Sequence, residues 1–196
     1  MRIMEDKNIL IETIYKAPKG SIWQERYIAL PMVVIFSTIT IMQPYGSFLT
    51  RLAYFILGGF LWTFFEYFLH RFAFHYQPKS VIGKALLDRF HIYHHNDTKD
   101  ETQVCIPLYI TLPAWALLFG IFSLFLGFYK ASLFVSGFAL MTIVYDITHF
   151  STHYMPARNP FLKFLKKHHN LHHFSDHHKR FGVTSPFWDF VFRTYK

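Results

Sequence analysis

Residues 48–75 read FLTRLAYFILGGFLWTFFEYFLHRFAFH. The part from 48 to 69 is apolar except for Arg51 near one end and Glu66 near the other. A helix needs about 20 such residues to cross the hydrocarbon core of a bilayer, so this stretch is predicted to span a membrane. His70 and His75 follow at once, where a helix would leave the apolar layer. Working outward, three more stretches have similar character: 27–45, 106–127 and 132–147. Only 43–47 and 128–131 separate the members of each pair, and connections that short make antiparallel hairpins. The expected fold is all-α, an integral membrane protein with four transmembrane helices in two hairpins and a cytosolic helical cap.

Composition agrees. The 196 residues are 52% apolar and 16% charged, with 24 Phe. Soluble domains carry roughly 25% charge, and a soluble chain this short has no core large enough to hide so much apolar surface. Lys and Arg gather before residue 27, between 71 and 99, and from 158 onward. By the positive-inside rule the N-terminus, middle loop and tail face the cytoplasm. The net charge of +8 is then an orientation signal and an attraction to anionic headgroups, and nucleic acid is not an expected partner. The first 26 residues, with Glu5, Asp6, Glu12 and Glu25, do not read as a secretory signal. Within them 9–15 can form a short amphipathic surface helix or a loose lead-in. Cys105 is alone, which excludes a disulfide framework and thiolate metal ligation, and it is expected to be buried as a small apolar residue.

All thirteen histidines lie in two polar stretches, 70–95 and 149–178. Ten form four groups: His70/His75, His91/His94/His95, His149/His153 and His169/His172/His173. Imidazole is the commonest metal ligand, and spacings of three and four share a helical face. His70 and His75 stand roughly 140° apart on an ideal helix, so they converge only if the helix ends or bends between them. Ten nitrogens overfill a four-coordinate ion. Two ions with five ligands each fit, and an all-nitrogen pair suits iron, with zinc able to bind as well. Chance polar anchors at a membrane interface would not repeat this periodicity. His168, His177 and His178 sit among Lys166, Lys167, Lys179 and Arg180 and are expected at the solvated surface, with His168 an alternative ligand. Glu66, Asp146 and Asp189 are candidates for accepting a ligand's second N–H, against the plainer reading of caps or interfacial ion pairs.

These residues resemble the fatty acid hydroxylase superfamily of membrane di-iron oxygenases, and within it the fatty acid/ceramide 2-hydroxylases. Glu66–His75 is similar to the first histidine box of that group, and His91-Ile92-Tyr93-His94-His95 to the second. Tyr145–His149 with His153 is similar to the third, and His169-Asn170-Leu171-His172-His173 to the fourth. Phe181–Ser185, Trp188–Phe192 and Thr194-Tyr195 resemble the C-terminal signature, although Arg193 stands where Gly is expected. The resemblance runs from about residue 48 to the end.

The resemblance implies that the ten histidines hold two iron ions, which zinc can replace in purified protein, and that dioxygen is a co-substrate. It implies O2-dependent hydroxylation of a long-chain lipid, at C-2 of a fatty acyl chain, free or ceramide-like. Phe187 and Trp188, with aromatics of the spans, are expected to shape the lipid slot. The cytochrome b5 domain of many such enzymes is not expected here, because its His-Pro-Gly-Gly segment is missing, so electrons are expected from a separate cytochrome b5- or ferredoxin-like donor. The chain reads as one domain: 1–26 lead-in, 27–69 first hairpin, 70–105 cytosolic loop, 106–147 second hairpin, 148–196 cytosolic tail. Two other readings use the same residues. One is a sterol or carotenoid oxidase or a desaturase of the same superfamily. The other is a membrane metal carrier without catalysis, which would place its ligands at mid-membrane rather than beside the spans.

Overall fold

The computed structural model describes residues 2–196, with side chains from Asp6 onward. Helix α1 (Arg2–Lys16) leads into α2 (Ile22–Met42), and α3 (Phe48–Phe74) completes the first hairpin. The cap helix α4 starts as Val81–Leu87, widens into a π turn at Asp88–Ile92 and ends as Tyr93–Asn96. The second hairpin is α5 (Leu108–Leu126) and α6 (Phe128–Tyr154). Helix α7 (Pro160–Phe174) and the short α8 (Phe187–Val191) close the cap. No strand occurs among the described residues.

Four helices are long and apolar enough to cross a membrane, and the chain is an all-helical multi-pass membrane protein. Their outer faces carry side chains that water would not tolerate in such number: Leu124 is 84% exposed and Phe125 79%. Side-chain caps set several starts. Ser47 Oγ accepts from the Thr50 N–H at 3.1 Å, Ser80 Oγ from Gly83 N–H at 3.1 Å, and Asn159 Oδ1 from Leu162 N–H at 2.8 Å ahead of Pro160. Each satisfies an N-terminal amide that the helix itself leaves unpaired.

Span boundaries differ from the sequence expectation. The expected 128–131 connector is already helix, and Gly127 alone makes the reversal, with φ +76°. That left-handed geometry suits a residue without Cβ. The fourth span therefore runs beyond 132–147 to Tyr154, which carries His149 and His153 clear of the apolar core. It is also the central helix, packed against α2, α3 and α5. Gly58 and Gly137 let α3 and α6 approach closely: a Cβ on Gly58 would run into the Phe134 carbonyl, and one on Gly137 into the Phe55 carbonyl. Without a hydrophobic drive between helices in lipid, such close backbone contact is a main source of association. Trp62, Phe138, Ile143 and Tyr145 fill the core around this crossing, and Trp62 meets Phe138 edge-on at 5.1 Å.

Candidate metal centre

The bend required between His70 and His75 is present. Residues Leu69–Phe74 form a π turn, which adds a residue per turn and brings positions i and i+5 to one face. A second π turn at Asp88–Ile92 carries His91 and leads into the turn that bears His94 and His95. His149 and His153 project from the last turns of α6, and His169, His172 and His173 from α7.

The fold gathers the ten rings into two groups of five. His70, His75, His91, His95 and His172 form the first cluster; His94, His149, His153, His169 and His173 form the second. Within each, one nitrogen per ring lies within 4.8 Å of all the others. The groups cross the sequence boxes. Pairs four apart, His91/His95, His149/His153 and His169/His173, stay together, whereas His94 and His172 each point to the cluster their neighbours do not join. His95 and His173, from different clusters, stack at 4.1 Å with planes 16° apart, so the two centres are adjacent.

The nitrogens are placed as ligands of an ion would be. Two atoms bound at about 2.1 Å and at right angles on one ion stand about 3 Å apart. Nε2 of His75 lies 3.1 Å from Nε2 of His172 and 3.2 Å from that of His91, and the His91 and His95 Nε2 atoms are 2.9 Å apart. In the second cluster His153 and His169 bring their Nε2 atoms to 2.8 Å. Buried and without hydrogen-bond partners are His70 Nε2, the Nδ1 atoms of His95 and His169, and both ring nitrogens of His94, His149 and His173. Native interiors rarely leave so many polar atoms unsatisfied, and a metal ion in each cluster accounts for one nitrogen of each ring. Burial holds the rings neutral. It lowers His75 to about 4, His94 and His172 to about 3 and His95 to about 2, with repulsion between neighbouring imidazoles adding to the effect, and it lowers His91, His169 and His173 as well. Neutral imidazole is the form that binds metal.

Main-chain carbonyls orient two of the rings. His70 Nδ1–H donates to the Phe181 carbonyl and His172 Nδ1–H to the Lys179 carbonyl, both at 2.6 Å, which turns each Nε2 inward. Sequence reading had no signal for these partners, because every residue has a carbonyl. The carboxylates act differently from the expectation. Glu66 accepts from the N–H groups of Val183 (2.5 Å) and Thr184 (2.8 Å) and from the Thr184 hydroxyl, and no histidine reaches it. It fixes the tail that supplies the Phe181 carbonyl. Asp146 accepts from Ile106 N–H at 3.1 Å rather than from His149. Asp189 binds Phe181 N–H and Gly182 N–H at 2.9 Å, Thr194 Oγ1 at 2.7 Å and His168 Nε2–H at 3.0 Å. His168 is therefore neither solvated nor in a cluster. It is buried against Asp189 because it faces the folded tail, while His177 and His178 are exposed as expected. Cys105 is buried.

An apolar cavity of about 330 Å³ touches both clusters. Phe74, Leu86, Phe90, Ile110 and Tyr145 line it, and His91, His94 and His149 stand at its wall. Phe187 and Trp188 are not part of it. They pack on Phe60 and Phe64 of α3, where Trp188 Nε1–H donates to Thr63 Oγ1 at 3.0 Å, so α8 lies against that helix instead.

Residues 55–194 match the fatty acid hydroxylase family. The chain belongs to that family. It is 37% identical over 143 residues to a dihydroceramide fatty acyl 2-hydroxylase of Arabidopsis thaliana, covering 71% of this chain and 59% of the relative. It is 35% identical over 176 residues to a ceramide very long chain fatty acid hydroxylase of Saccharomyces cerevisiae, covering 85% of this chain and 43% of the relative. The human fatty acid 2-hydroxylase is 34% identical over 147 residues, covering 71% and 38%. The chain thus spans only about 60% or less of these three relatives. A solved structure of full-length Scs7p, in which only the hydroxylase domain is visible, superposes with a TM-score of 0.83 at 32% identity, covering 91% of this chain and 68% of that one.

Proposed function

We propose that this hydroxylase-family chain inserts oxygen at C-2 of a long-chain fatty acyl group, free or ceramide-like, using dioxygen and external electrons. The observation that carries the reading is the apolar cavity whose wall contains His91 of one cluster and His94 and His149 of the other. A lipid chain lying there places one of its carbons beside both metal positions. The ten clustered histidines would hold two iron ions. Iron supplies the activation of dioxygen and the redox change that C–H hydroxylation needs.

The protein's own residues do the rest. Phe74, Leu86, Phe90, Ile110 and Tyr145 bind the acyl chain and exclude water from the reacting carbon. Arg89, Thr102 and Gln103, also on the cavity wall, give its polar end hydrogen-bond partners; the Arg89 guanidinium donates to Gln103 Oε1 at 2.7 Å and to the Ala17 carbonyl at 2.8 Å. The carbonyls of Phe181 and Lys179 hold His70 and His172 in one tautomer. Relatives of similar sequence are named for dihydroceramide, ceramide and fatty acid hydroxylation, which supports the substrate class.

We further read the cap as cytoplasmic, with both termini on that side, by the distribution of Lys and Arg. Residues 1–196 form one hydroxylase domain, and electrons reach it from a cytochrome b5- or ferredoxin-like donor. The test is expression in cells lacking 2-hydroxylated lipids, under labelled dioxygen, with lipid mass spectrometry. The expected product is one labelled oxygen heavier at C-2 and is lost in His94→Ala and His172→Ala. Products two hydrogens lighter would establish desaturation instead, and an unchanged lipid profile would refute the reading.

A further inference from the structure

The two clusters have different surroundings. The first borders a second, more polar cavity of about 440 Å³, whose wall includes His75, His95, Asn96, Lys84, Asp88 and His177. His177 is exposed and belongs to the turn that follows α7. That turn is fixed: Asp176 Oδ1 accepts from His178 N–H at 2.9 Å, and Asp176 Oδ2 lies 3.1 Å from Lys179 Nζ.

Ring spacing gives His177 a particular place. Inside the first cluster the ring of His75 stands 4.9 Å from those of His91, His95 and His172, and His95 is 5.0 Å from His172. His177 is also 5.0 Å from His95, but 6.0 Å from His172 and 6.5 Å from His75. Members of the cluster stand up to 6.4 Å apart, as His70 and His95 do, so His177 lies at the outer edge of their spacing, but its ring is not among the five whose nitrogens gather. The second cluster has four buried rings of five against three in the first, and the cavity beside it, which His91 of the first also reaches, is apolar.

We propose that His177 is a transit ligand, forming with His95 a loading position through which the metal ion of the first cluster enters and leaves. This rests on reading the ten histidines as metal ligands. An ion held by five imidazoles cannot leave by breaking five bonds together. It exchanges stepwise, each broken bond replaced by a new one. An exposed imidazole at ligand distance from His95 offers that replacement at the water-facing side. Neutral imidazole takes the ion without proton release, and no redox change is involved. The ion of the second cluster has no such neighbour and exchanges slowly.

The test follows metal loss from the purified full chain, loaded with zinc, after excess chelator is added, by metal analysis over time. The wild type is expected to hold two ions and release one of them much faster. His177→Ala is expected to hold two ions at equilibrium and to slow the fast phase roughly tenfold, the scale on which groups just outside a ligand set affect metal sites. His178→Ala, on the same turn, is expected to leave the fast phase unchanged. Two ions leaving His177→Ala at wild-type rates would overturn the inference while leaving the ligand reading intact. A His177→Ala protein holding a single ion would overturn it too, by making His177 a resident ligand. A wild-type chain that holds no zinc would refute the ligand reading, and the inference with it.

Discussion

Glu66, near the end of the second span, holds Thr184 of the tail, 118 residues further along the chain, through both its backbone N–H and its hydroxyl. The neighbouring Val183 N–H adds a third bond. A carboxylate in an apolar helix is thus matched to donors of a loop whose own amides would otherwise be buried unpaired. The consequence reaches the metal centre, since the loop so fixed carries the Phe181 carbonyl that orients His70.

Removing that carboxylate is therefore expected to loosen the tail before it touches any ligand. Glu66→Ala leaves buried donors without acceptors and is expected to cost about 3 kcal/mol, with Glu66→Gln costing about 1 kcal/mol. Thermal unfolding in detergent, with metal content measured alongside, checks this. Full loss of both ions in Glu66→Gln without loss of stability would contradict the tail-holding role.

His168 and His169 are adjacent in sequence and opposite in duty. His168→Ala is expected to retain two metal ions while losing stability through Asp189, because taking one hydrogen bond from a buried carboxylate costs about 1.5–3 kcal/mol. His169→Gln is expected to retain one ion. Metal analysis of the two variants decides between them, and equal ion loss in both would sink the assignment.

Arg193 adopts φ +58°, a left-handed conformation that costs a residue with Cβ about 1–2 kcal/mol. Glycine gives back part of that advantage in the unfolded chain. Arg193→Gly is expected to stabilise the protein by about 0.5–1 kcal/mol, a rise of roughly 2 °C in Tm. A fall in Tm would show that the Arg193 side chain makes a contact worth more than its backbone strain.

Acid should unfold the metal-free protein. In the unfolded chain these histidines take protons near 6.5, whereas in the fold burial lowers His75 to about 4 and His94 and His172 to about 3. The unfolded state thus binds more protons between those values. Stability is fully present above pH 6.5 and is lost as pH falls through 6.5 toward 3. Unfolding midpoints of chelator-stripped protein across that range test the sign, and a flat profile between pH 7 and 4 would refute it.

At the crossing of α3 and α6 there is no room for a side chain. Gly137→Leu is expected to destabilise the protein by about 3 kcal/mol or more, since overpacked cores must shift backbone and here the obstacle is the Phe55 carbonyl. Gly120, whose Cβ would meet nothing within 4 Å, is the control: Gly120→Ala is expected to fold normally, as seen by size-exclusion profile and Tm.

The sequence by itself determined that there are four spans joined by short turns and which ten histidines gather, because apolar length and helical periodicity are local properties of a chain. It could even require the bend between His70 and His75. Tertiary structure alone decided that His94 leaves His91 and His95 for the other cluster, that His168 turns to Asp189, and that carbonyls of Phe181 and Lys179 orient two rings. Those outcomes depend on how helices from distant parts of the chain face one another. A main-chain carbonyl has no signature in sequence, and a side chain's partner is fixed only when the elements on both sides are in place.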